Sequence, residues 1–401
     1  GYFLVVQTQK MEPSMRFRDS IFASLLKPIS RRQFRASVAV HAADAYDKRF
    51  SSWDHLVMLI FAQLGSVGSL RGIASAWNAN AHHHFHLASR PIARSTLADA
   101  NHRRPPAVFA ETFEALSGLA SRSLRSEGRK VVRLIDATPI PLHKLCHWAR
   151  WNGRTRGLKM HVVHDPYADH PHRITITPST VNDVEVGREQ PVETGATYVF
   201  DKAYCDYAWW TRIHMAGAVF VTRAKTNARY EIVKQRRVGR ARGEGFEILA
   251  DANVRLAAKS LTRLACPLRR ITLKREDGAV MQVITNDRRR SAVEIGMLYK
   301  TRWQIELLFR WIKQHLRLSQ FFGRSENAIR LQILTAMIAY LLLRIAAKMS
   351  RSALSPLRFA ELVGQCLFVR KPLTHLDKPP EVHASTPKPK CHPGQLELAY
   401  A

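Results

Sequence analysis

The chain has 401 residues, which is enough for two or three domains or for one large elaborated domain. Apolar residues make up 46% of it, and this argues against global disorder because such a chain can bury a substantial core. The net charge of +30 indicates a polyanionic partner, with nucleic acid as the leading interpretation; charge alone leaves open a basic protein of a membrane surface or of the ribosome.

The cysteines and the apolar runs indicate the cellular compartment of the protein. The five cysteines are far apart and form no Cys-x-x-Cys pair, so they predict no zinc module and no disulfide framework and suit a reducing cytoplasm. The longest apolar run, residues 333–343, is too short to span a bilayer, which predicts a buried core helix and no membrane partner. Because Gly1 precedes Met11 and Met15, we interpret residues 1–18 as upstream read-through, a fragment end or a disordered start.

Residues 19–125 are predicted to form a helical N-terminal region. Ser51 or Ser52 is a candidate N-cap for one helix, and Ser95 opens another that ends in basic residues. Short helices and the glycine-containing turn SVGS fit a helix-turn-helix-like DNA-binding unit and a generic helical subdomain equally well. The predicted helical segments are residues 19–26, 30–41, 53–63, 69–78, 95–103 and 107–122.

Four histidines, at positions 82, 83, 84 and 86, invite a metal interpretation. Consecutive residues of a helix point about 100° apart, so neighbouring histidines cannot easily converge on one ion. We therefore predict a solvent-exposed loop that contacts phosphate rather than a metal site.

From residue 130 the pattern changes to strands. The runs VVRLIDATPI, GLKMHVVHD and RITITPSTV are β-rich, and a short helix at 183–190 and the strand TYVF follow. The order β-β-β-α-β is the opening of an RNase H-like fold, which places two acids on neighbouring strands. Asp136 follows VVRLI and Asp201 follows YVF; a carboxylate on a buried strand is costly unless it pairs or binds metal.

Two further acids compete for a role in the same site. Asp165 precedes Pro166 and is predicted to be a turn residue. Asp183 is predicted to be a helix N-cap and remains the second choice for a site acid.

Residues 226–290 are predicted to be a β-rich insertion, because about a hundred residues separate Asp201 from the next candidate acid, Glu306. The β-like segments in this range are FEILA, LRRITLKRE and AVMQVITN. None of the eight tryptophans lies within residues 216–290, so no tryptophan of the insertion can stack on a base. Within the insertion, Tyr230 and Phe246 are the aromatic residues that could do so.

The stretch LYKTRWQIELLFRWIKQHLRLSQ, residues 298–320, is predicted to be one helix because strong helix formers fill it. The spacing of Tyr299, Arg302, Glu306 and Lys313 confines them to an arc of roughly 60°. The opposite face, with Ile305, Leu308 and Ile312, is apolar. A solvated face with i,i+4 ion pairs is the alternative, but three carboxylates on two strands and a helix can converge on divalent metal ions.

Three segments complete the predicted chain. An apolar helix around residues 333–346 is predicted to pack behind the sheet, and residues 350–376 form a C-terminal helical segment. Residues 377–401 are basic and rich in proline, which predicts a disordered tail.

Three blocks of the sequence resemble the "insertion sequence four" family of DDE transposases. Its signature Tyr-x2-Arg-x3-Glu-x6-Lys is matched from Tyr299 to Lys313. Asp-x-Thr is matched at Asp136, and Asp-x-(Gly/Ala)-(Tyr/Phe) at Asp201, with Ala203 and Tyr204. The blocks occur in the family's order, and the resemblance extends over most of residues 20–370.

The resemblance implies an α/β (α+β) protein in four parts. A DNA-binding region at 19–125 precedes an RNase H-like catalytic core at 130–225 and 291–349. The insertion at 226–290 interrupts this core, and residues 350–401 follow it.

The resemblance also implies chemistry and partners. Asp136 bridges two Mg²⁺ (or Mn²⁺) ions while Asp201 and Glu306 each hold one, and Tyr299, Arg302 and Lys313 bind DNA phosphates. The activity is cut-and-paste transposition by hydrolysis and transesterification of double-stranded DNA. The active form is a homodimer that holds two terminal inverted repeats, in the cytoplasm at the nucleoid.

Two other functions remain open at this stage. One is a decayed or domesticated copy that binds DNA ends without catalysis; the presence of all three carboxylates argues against decay at the metal site. The other is a metal-dependent nuclease that cannot join ends.

Overall fold

A mixed sheet organises the molecule. The computed structural model describes residues 19–378, except 46–48, 66, 125–130, 154–155, 239–240, 258–263, 265, 317 and 319. The start at 1–18 and nearly all of the tail at 377–401 lie outside the described residues. The described strands are Val132–Pro141 (β1), Gly157–Asp165 (β2), His170–Pro178 (β3), Thr197–Phe200 (β4), Val219–Arg223 (β5), Tyr230–Gln235 (β6), Arg242–Gly243 (β7), Phe246–Leu256 (β8), Leu268–Arg275 (β9) and Val280–Thr285 (β10).

The order of the strands is β3-β2-β1-β4-β5-β10-β9-β8-β6, with β7 paired to β8. β1, β4 and β5 are parallel neighbours, whereas β2 and β3 are added antiparallel on one side. Runs rich in Val, Ile, Thr and aromatic residues form these central strands, as β propensity predicts. The predicted mixed α/β class and its β-β-β-α-β opening are confirmed.

The predicted insertion at 226–290 is β-rich, but it does not form a separate sheet. Its last strand, β10, pairs antiparallel with β5, and β9, β8 and β6 follow outward. β6 and β7 are additional to the predicted segments. The inserted strands therefore continue the layer that carries Asp136 and Asp201.

Helices surround the sheet and follow the predicted order. The six segments predicted in residues 19–125 are all helical, because each combines apolar periodicity with turn residues at its ends. The described helices are Ile21–Leu26 (α1), Arg31–Val40 (α2), Ser52–Leu64 (α3), Leu70–Ala79 (α4), Arg94–Arg103 (α5), Ala107–Leu124 (α6), Asp183–Glu189 (α7), Tyr207–Met215 (α8), Ala292–Thr301 (α9), Trp303–His315 (α10), Glu326–Met349 (α11) and Pro356–Gln365 (α12).

The helix starts correct two predictions and confirm one. Ser51 is the N-cap of α3 and forms a capping box with Asp54. Ser95 is not a cap, because α5 begins at Arg94 after Ala93. Asp183 is not a cap either: it is the first residue of α7, and Asn182 stands at the N-cap position.

The histidine run is not a loop. Residues Ala81–Leu87 form a 3₁₀ helix in which His84 is buried and stacks on Trp77, with ring centroids 4.2 Å apart. His84 Nε2 also lies 2.9 Å from the carbonyl oxygen of Trp77. His83 stacks on Phe368, whereas His82 and His86 are exposed. Part of this run is therefore core, which helical spacing alone could not indicate.

Helix α11 connects the N-terminal helices to the sheet. It contacts α3, α5 and α6 as well as β3, and its 24 residues exceed the predicted helix at 333–346. By length and composition it is the one described helix that could cross a membrane, but 89% of its most apolar window is buried inside the protein. It is thus a core helix, as predicted, although its length alone would not have shown this.

Helices cover both faces of the sheet. Trp209 and Trp210 of α8 pack with Phe200 and Phe220 on one face. On the other face, α10 and α11 share one continuous apolar core with the N-terminal helices. The N-terminal region is thus fused to the sheet's core rather than packed around a separate one.

Candidate active site

The sheet brings Asp136 and Asp201 side by side. Ile135 of β1 is in register with Phe200 of β4, so the residue that follows each of them lies at the same level of two parallel neighbours. Asp136 is within β1, and Asp201 comes directly after β4. Alternation along each strand points these carboxylates to one side of the sheet.

The predicted helix at 298–320 is two helices. α9 ends at Thr301, Arg302 lies between, and α10 runs from Trp303 to His315. Arg302 keeps helical backbone angles, but the hydrogen bonds around it span three residues instead of four. The strong helix propensity of the stretch gives no indication of this break. Because of the break, α9 and α10 can pack against different elements.

Glu306 lies in the first turn of α10. Ile305, Leu308 and Ile312 are buried on the opposite face, as predicted, and α10 contacts β1 and α11. This packing fixes the helix against the strand that carries Asp136. Glu306 therefore points back towards the sheet edge.

Arg302 joins two of the three carboxylates. Its Nη1 donates to Asp136 Oδ2 at 3.2 Å, and its Nη2 donates to Glu306 Oε1 at 2.5 Å. The Arg302 side chain is 18% exposed. One guanidinium thus occupies the position between a strand acid and a helix acid.

The third carboxylate has a different partner. The hydroxyl of Tyr299 donates to Asp201 Oδ1 at 3.4 Å. Burial raises the pKa of Tyr299 to about 12, and the nearby charge of Asp201 adds to this, so the phenol stays protonated and remains a donor.

The acids influence one another electrostatically. Burial raises the pKa of Asp136 to about 6, and the carboxylates of Glu306 and Asp201 act in the same direction. The backbone N–H of Ala137 and the guanidinium of Arg302 oppose the rise. A nearby cation therefore stabilises the ionised carboxylate of Asp136.

The donor set suits a hard divalent cation, because carboxylate oxygens are the protein ligands that Mg²⁺ and Mn²⁺ prefer. Arg302 demonstrates that Asp136 and Glu306 can face one positive group. Within the described residues, however, no three histidine, cysteine or acidic side chains lie close enough to share an ion. The geometry thus fits a cation between two carboxylates, with Asp201 beside them.

The competing acids have structural partners. Asp165 accepts hydrogen bonds from the backbone of Tyr167 and Ala168, as predicted for a turn, and forms a buried ion pair with Arg133. Asp183 accepts from Lys159 Nζ at 2.8 Å. Neither acid contacts Arg302 or Tyr299.

Lys313 is half-buried on α10, and burial lowers its pKa. Among the described residues it has no ion-pair partner, so its charge is available to a phosphate.

A groove of about 500 Å³ adjoins Tyr299 and Arg302. It lies between α9, α10 and the added strands, and Arg223, Lys300 and Trp303 are among its lining residues. The sequence patterns predicted no functional role for any of these three residues. The available signal for Arg223 is its place at the carboxyl end of β5, the parallel neighbour of β4.

The aromatic residues considered for base stacking are not equivalent. Phe246 is buried against α9, where a Cβ at Gly296 would meet its ring at 2.5 Å. It is therefore a packing residue in this structure. Tyr230 is partly buried at the start of β6, and burial raises its pKa.

Comparisons with known proteins indicate the family of the chain. The family model described as "Transposase DDE domain" matches residues 127–342, and a domain of unknown function (DUF4372) matches residues 18–88. The protein y4zB of Sinorhizobium fredii, named as a transposase, is 56% identical over 304 residues, which are 76% of this chain and 85% of that protein.

Two further comparisons cover more distant proteins. A protein of Geobacillus stearothermophilus, named as a transposase for insertion sequence element IS5377, is 32% identical over 224 residues, or 56% of this chain and 58% of that protein. The cryo-EM structure of the piggyBac transposase synaptic complex with hairpin DNA has a TM-score of 0.48 at 10% identity, over 92% of this chain and 84% of that chain. Because the DDE domain model spans more than half of the sequence and y4zB matches most of it, the chain belongs to the DDE transposases, enzymes that cut and join DNA in transposition.

Proposed function

We propose that this transposase cuts DNA at the ends of an insertion sequence, with Asp136, Asp201 and Glu306 as ligands of two divalent ions, Mg²⁺ or Mn²⁺. The observation that supports this most directly is the Arg302 guanidinium, which contacts Asp136 and Glu306 together. Two acids far apart in the sequence thus face one position for a cation. DDE transposases generally use divalent metal ions.

The positions of the acids suggest their roles. Asp136 lies on the strand next to the one that Asp201 follows and shares Arg302 with Glu306, so it is the candidate for a ligand that both ions would share. Asp201 and Glu306 would each hold one of the ions. Bound ions would acidify the attacking water or 3′-hydroxyl and stabilise charge on the leaving oxygen.

Basic and hydroxyl groups around the acids hold the DNA. Lys313 and Arg302 bind phosphates beside the cut, and Tyr299 donates a hydrogen bond to one. The excess of Lys and Arg over the whole chain supplies long-range attraction to DNA.

The remaining roles complete this proposal. The helical region at 19–125 binds the terminal inverted repeats, and a homodimer holds two ends and inserts them into target DNA. The protein acts in the cytoplasm, at the nucleoid.

The test is an analysis of reaction products. The full chain is incubated in Mg²⁺ with a labelled duplex that carries the element end and with an unlabelled plasmid target. A cut at the element boundary, followed by transfer of label to the plasmid, is the expected result. A cut without joined or hairpin products would indicate a nuclease, and binding without a cut would indicate an occupancy-only protein. Either outcome contradicts the proposal.

A further inference from the structure

We infer that Arg302 is a gate that couples metal binding at the acidic site to DNA binding in the adjoining groove. This inference rests on the metal role proposed above for Asp136 and Glu306. In this structure the guanidinium holds the position between the two carboxylates. When a DNA phosphate enters the groove, Arg302 turns to it and releases the carboxylate oxygens.

The contacts make Arg302 a competitor of a divalent ion. Its two terminal nitrogens bind one oxygen each of Asp136 and Glu306, at 3.2 Å and 2.5 Å. Those oxygens are among the donors that a metal ion at this site would use. A guanidinium and a divalent cation repel each other and cannot use the same oxygens, so the first lowers the affinity for the second.

The hydrogen bonding of the Arg302 guanidinium is incomplete in this position. Its Nε is buried and has no hydrogen-bond partner among the described residues. An unsatisfied buried donor is unfavourable, whereas a phosphate offers several oxygens in a geometry that a guanidinium matches. The present set of contacts is therefore incomplete, and a phosphate can complete it.

The groove is within reach of the same side chain. Arg302 and Tyr299 both line it, and the guanidinium lies 5.9 Å from the centre of the Tyr299 ring. The groove walls carry more basic than acidic residues, with Arg223, Arg275 and Lys300 against Glu276 and Asp277. The net positive charge draws a phosphate towards this position. A rotation of the Arg302 side chain thus exchanges one anionic partner for another.

This exchange couples two binding events. DNA raises the affinity of the carboxylates for metal, and by thermodynamic reciprocity metal raises the affinity for DNA by the same factor. A protein without bound DNA then binds metal weakly. Cutting is therefore restricted to DNA that occupies the groove.

The experiment measures metal affinity without DNA and without turnover. The full-length protein is titrated with Mn²⁺, and the free ion is followed by electron paramagnetic resonance. The variants Arg302→Ala and Arg302→Met remove the guanidinium, and the second keeps the packing of the stem. Arg310→Ala is the matched control, because Arg310 is an exposed arginine of the same helix. The double variant Asp136→Asn, Glu306→Gln removes the proposed ligands.

We expect both Arg302 variants to bind Mn²⁺ about tenfold more tightly than the wild type, since a positive charge within a few ångströms is removed. Arg310→Ala should keep the wild-type affinity. Equal or weaker binding by both Arg302 variants would overturn the gate, even if the double variant loses Mn²⁺. If the double variant binds Mn²⁺ as well as the wild type, the proposed metal site itself is wrong and the gate falls with it.

A second titration tests the link to DNA. The affinity for a duplex that carries the element end is measured by fluorescence polarisation with and without Ca²⁺. The wild type should bind more tightly in Ca²⁺, and this gain should be smaller in Arg302→Met. The same gain in both proteins would overturn the coupling.

Discussion

Two arginines of this protein each bind carboxylates across elements, yet their surroundings are opposite. Arg269 of β9 is 1% exposed and binds both oxygens of Asp251 on β8, at 2.8 Å and 2.7 Å. It also donates to the backbone carbonyls of Asp287 and Arg290. Every nitrogen of its guanidinium has a partner. Arg269 therefore fastens the added strands to the loop before α9.

Arg302, in contrast, is partly exposed and only partly satisfied by hydrogen bonds. Its side chain is 18% exposed, its Nε has no partner among the described residues, and its two bonds go to different carboxylates. It also faces a groove. The presence of an arginine–carboxylate pair thus does not by itself define the role of the arginine. A closed, fully satisfied pair stabilises the fold, whereas an open, partly satisfied one can exchange partners.

The largest expected effect is at the closed pair. Asp251→Ala leaves the buried Arg269 without its carboxylate, which should lower the free energy of unfolding by about 3 to 5 kcal/mol. Glu231→Ala is the control, because it breaks the exposed pair with Arg255 between neighbouring strands and should cost less than about 1 kcal/mol. Urea unfolding followed by circular dichroism measures both. If both variants lost the same free energy of unfolding, the buried pair would not be more stabilising than the exposed one, and this would contradict the distinction.

A smaller loss is expected at the open pair. Arg302→Met should lower the free energy of unfolding by about 2 kcal/mol or less. The loss is smaller than at Asp251 because the side chains of Asp136 and Glu306 are 20% and 31% exposed, so water can reach their carboxylates once the guanidinium is gone. The same urea titration measures this variant. A loss as large as that of Asp251→Ala would make Arg302 a structural residue and would contradict the comparison.

The smallest expected effect concerns a lysine near the open site. Lys313→Ala should weaken binding of the element end and reduce the slope of log affinity against log salt by about 0.9, the value for one phosphate contact. Lys348→Ala removes an exposed lysine at the end of α11 and serves as the control. Fluorescence polarisation at several salt concentrations supplies the slopes. An unchanged slope in Lys313→Ala would count against a phosphate contact.

Local sequence patterns predicted the elements that present the acids. Asp136 and Asp201 stand out because each follows a short run of buried, β-branched or aromatic residues. The capping box at Ser51 is equally local. Features of this kind depend on neighbours within a few residues, so the chain order reveals them.

Features that depend on distant residues could not be predicted. The pairing of β10 with β5 joins the last strand of the insertion to the strand that precedes the insertion. The break at Arg302 arises because α9 and α10 pack against different strands, although every residue around it favours a helix. The i,i+4 pair of Arg302 with Glu306 is visible in the sequence, but the contact with Asp136 spans 166 positions. The contacts on which the proposed gate rests therefore appear only in the fold.

We expect Asp136, Asp201 and Glu306, and no other acid of the sheet edge, to support DNA cutting. The most direct measurement is the rate of Mg²⁺-dependent cleavage of a labelled element end by Asp136→Asn, Asp201→Asn and Glu306→Gln, with Asp183→Asn as the matched control. Asp183 pairs with Lys159 and does not contact Arg302. We expect the first three variants to bind the end without cutting it and Asp183→Asn to cut. Cleavage at the wild-type rate by any of the three, or its loss only in Asp183→Asn, would contradict the account.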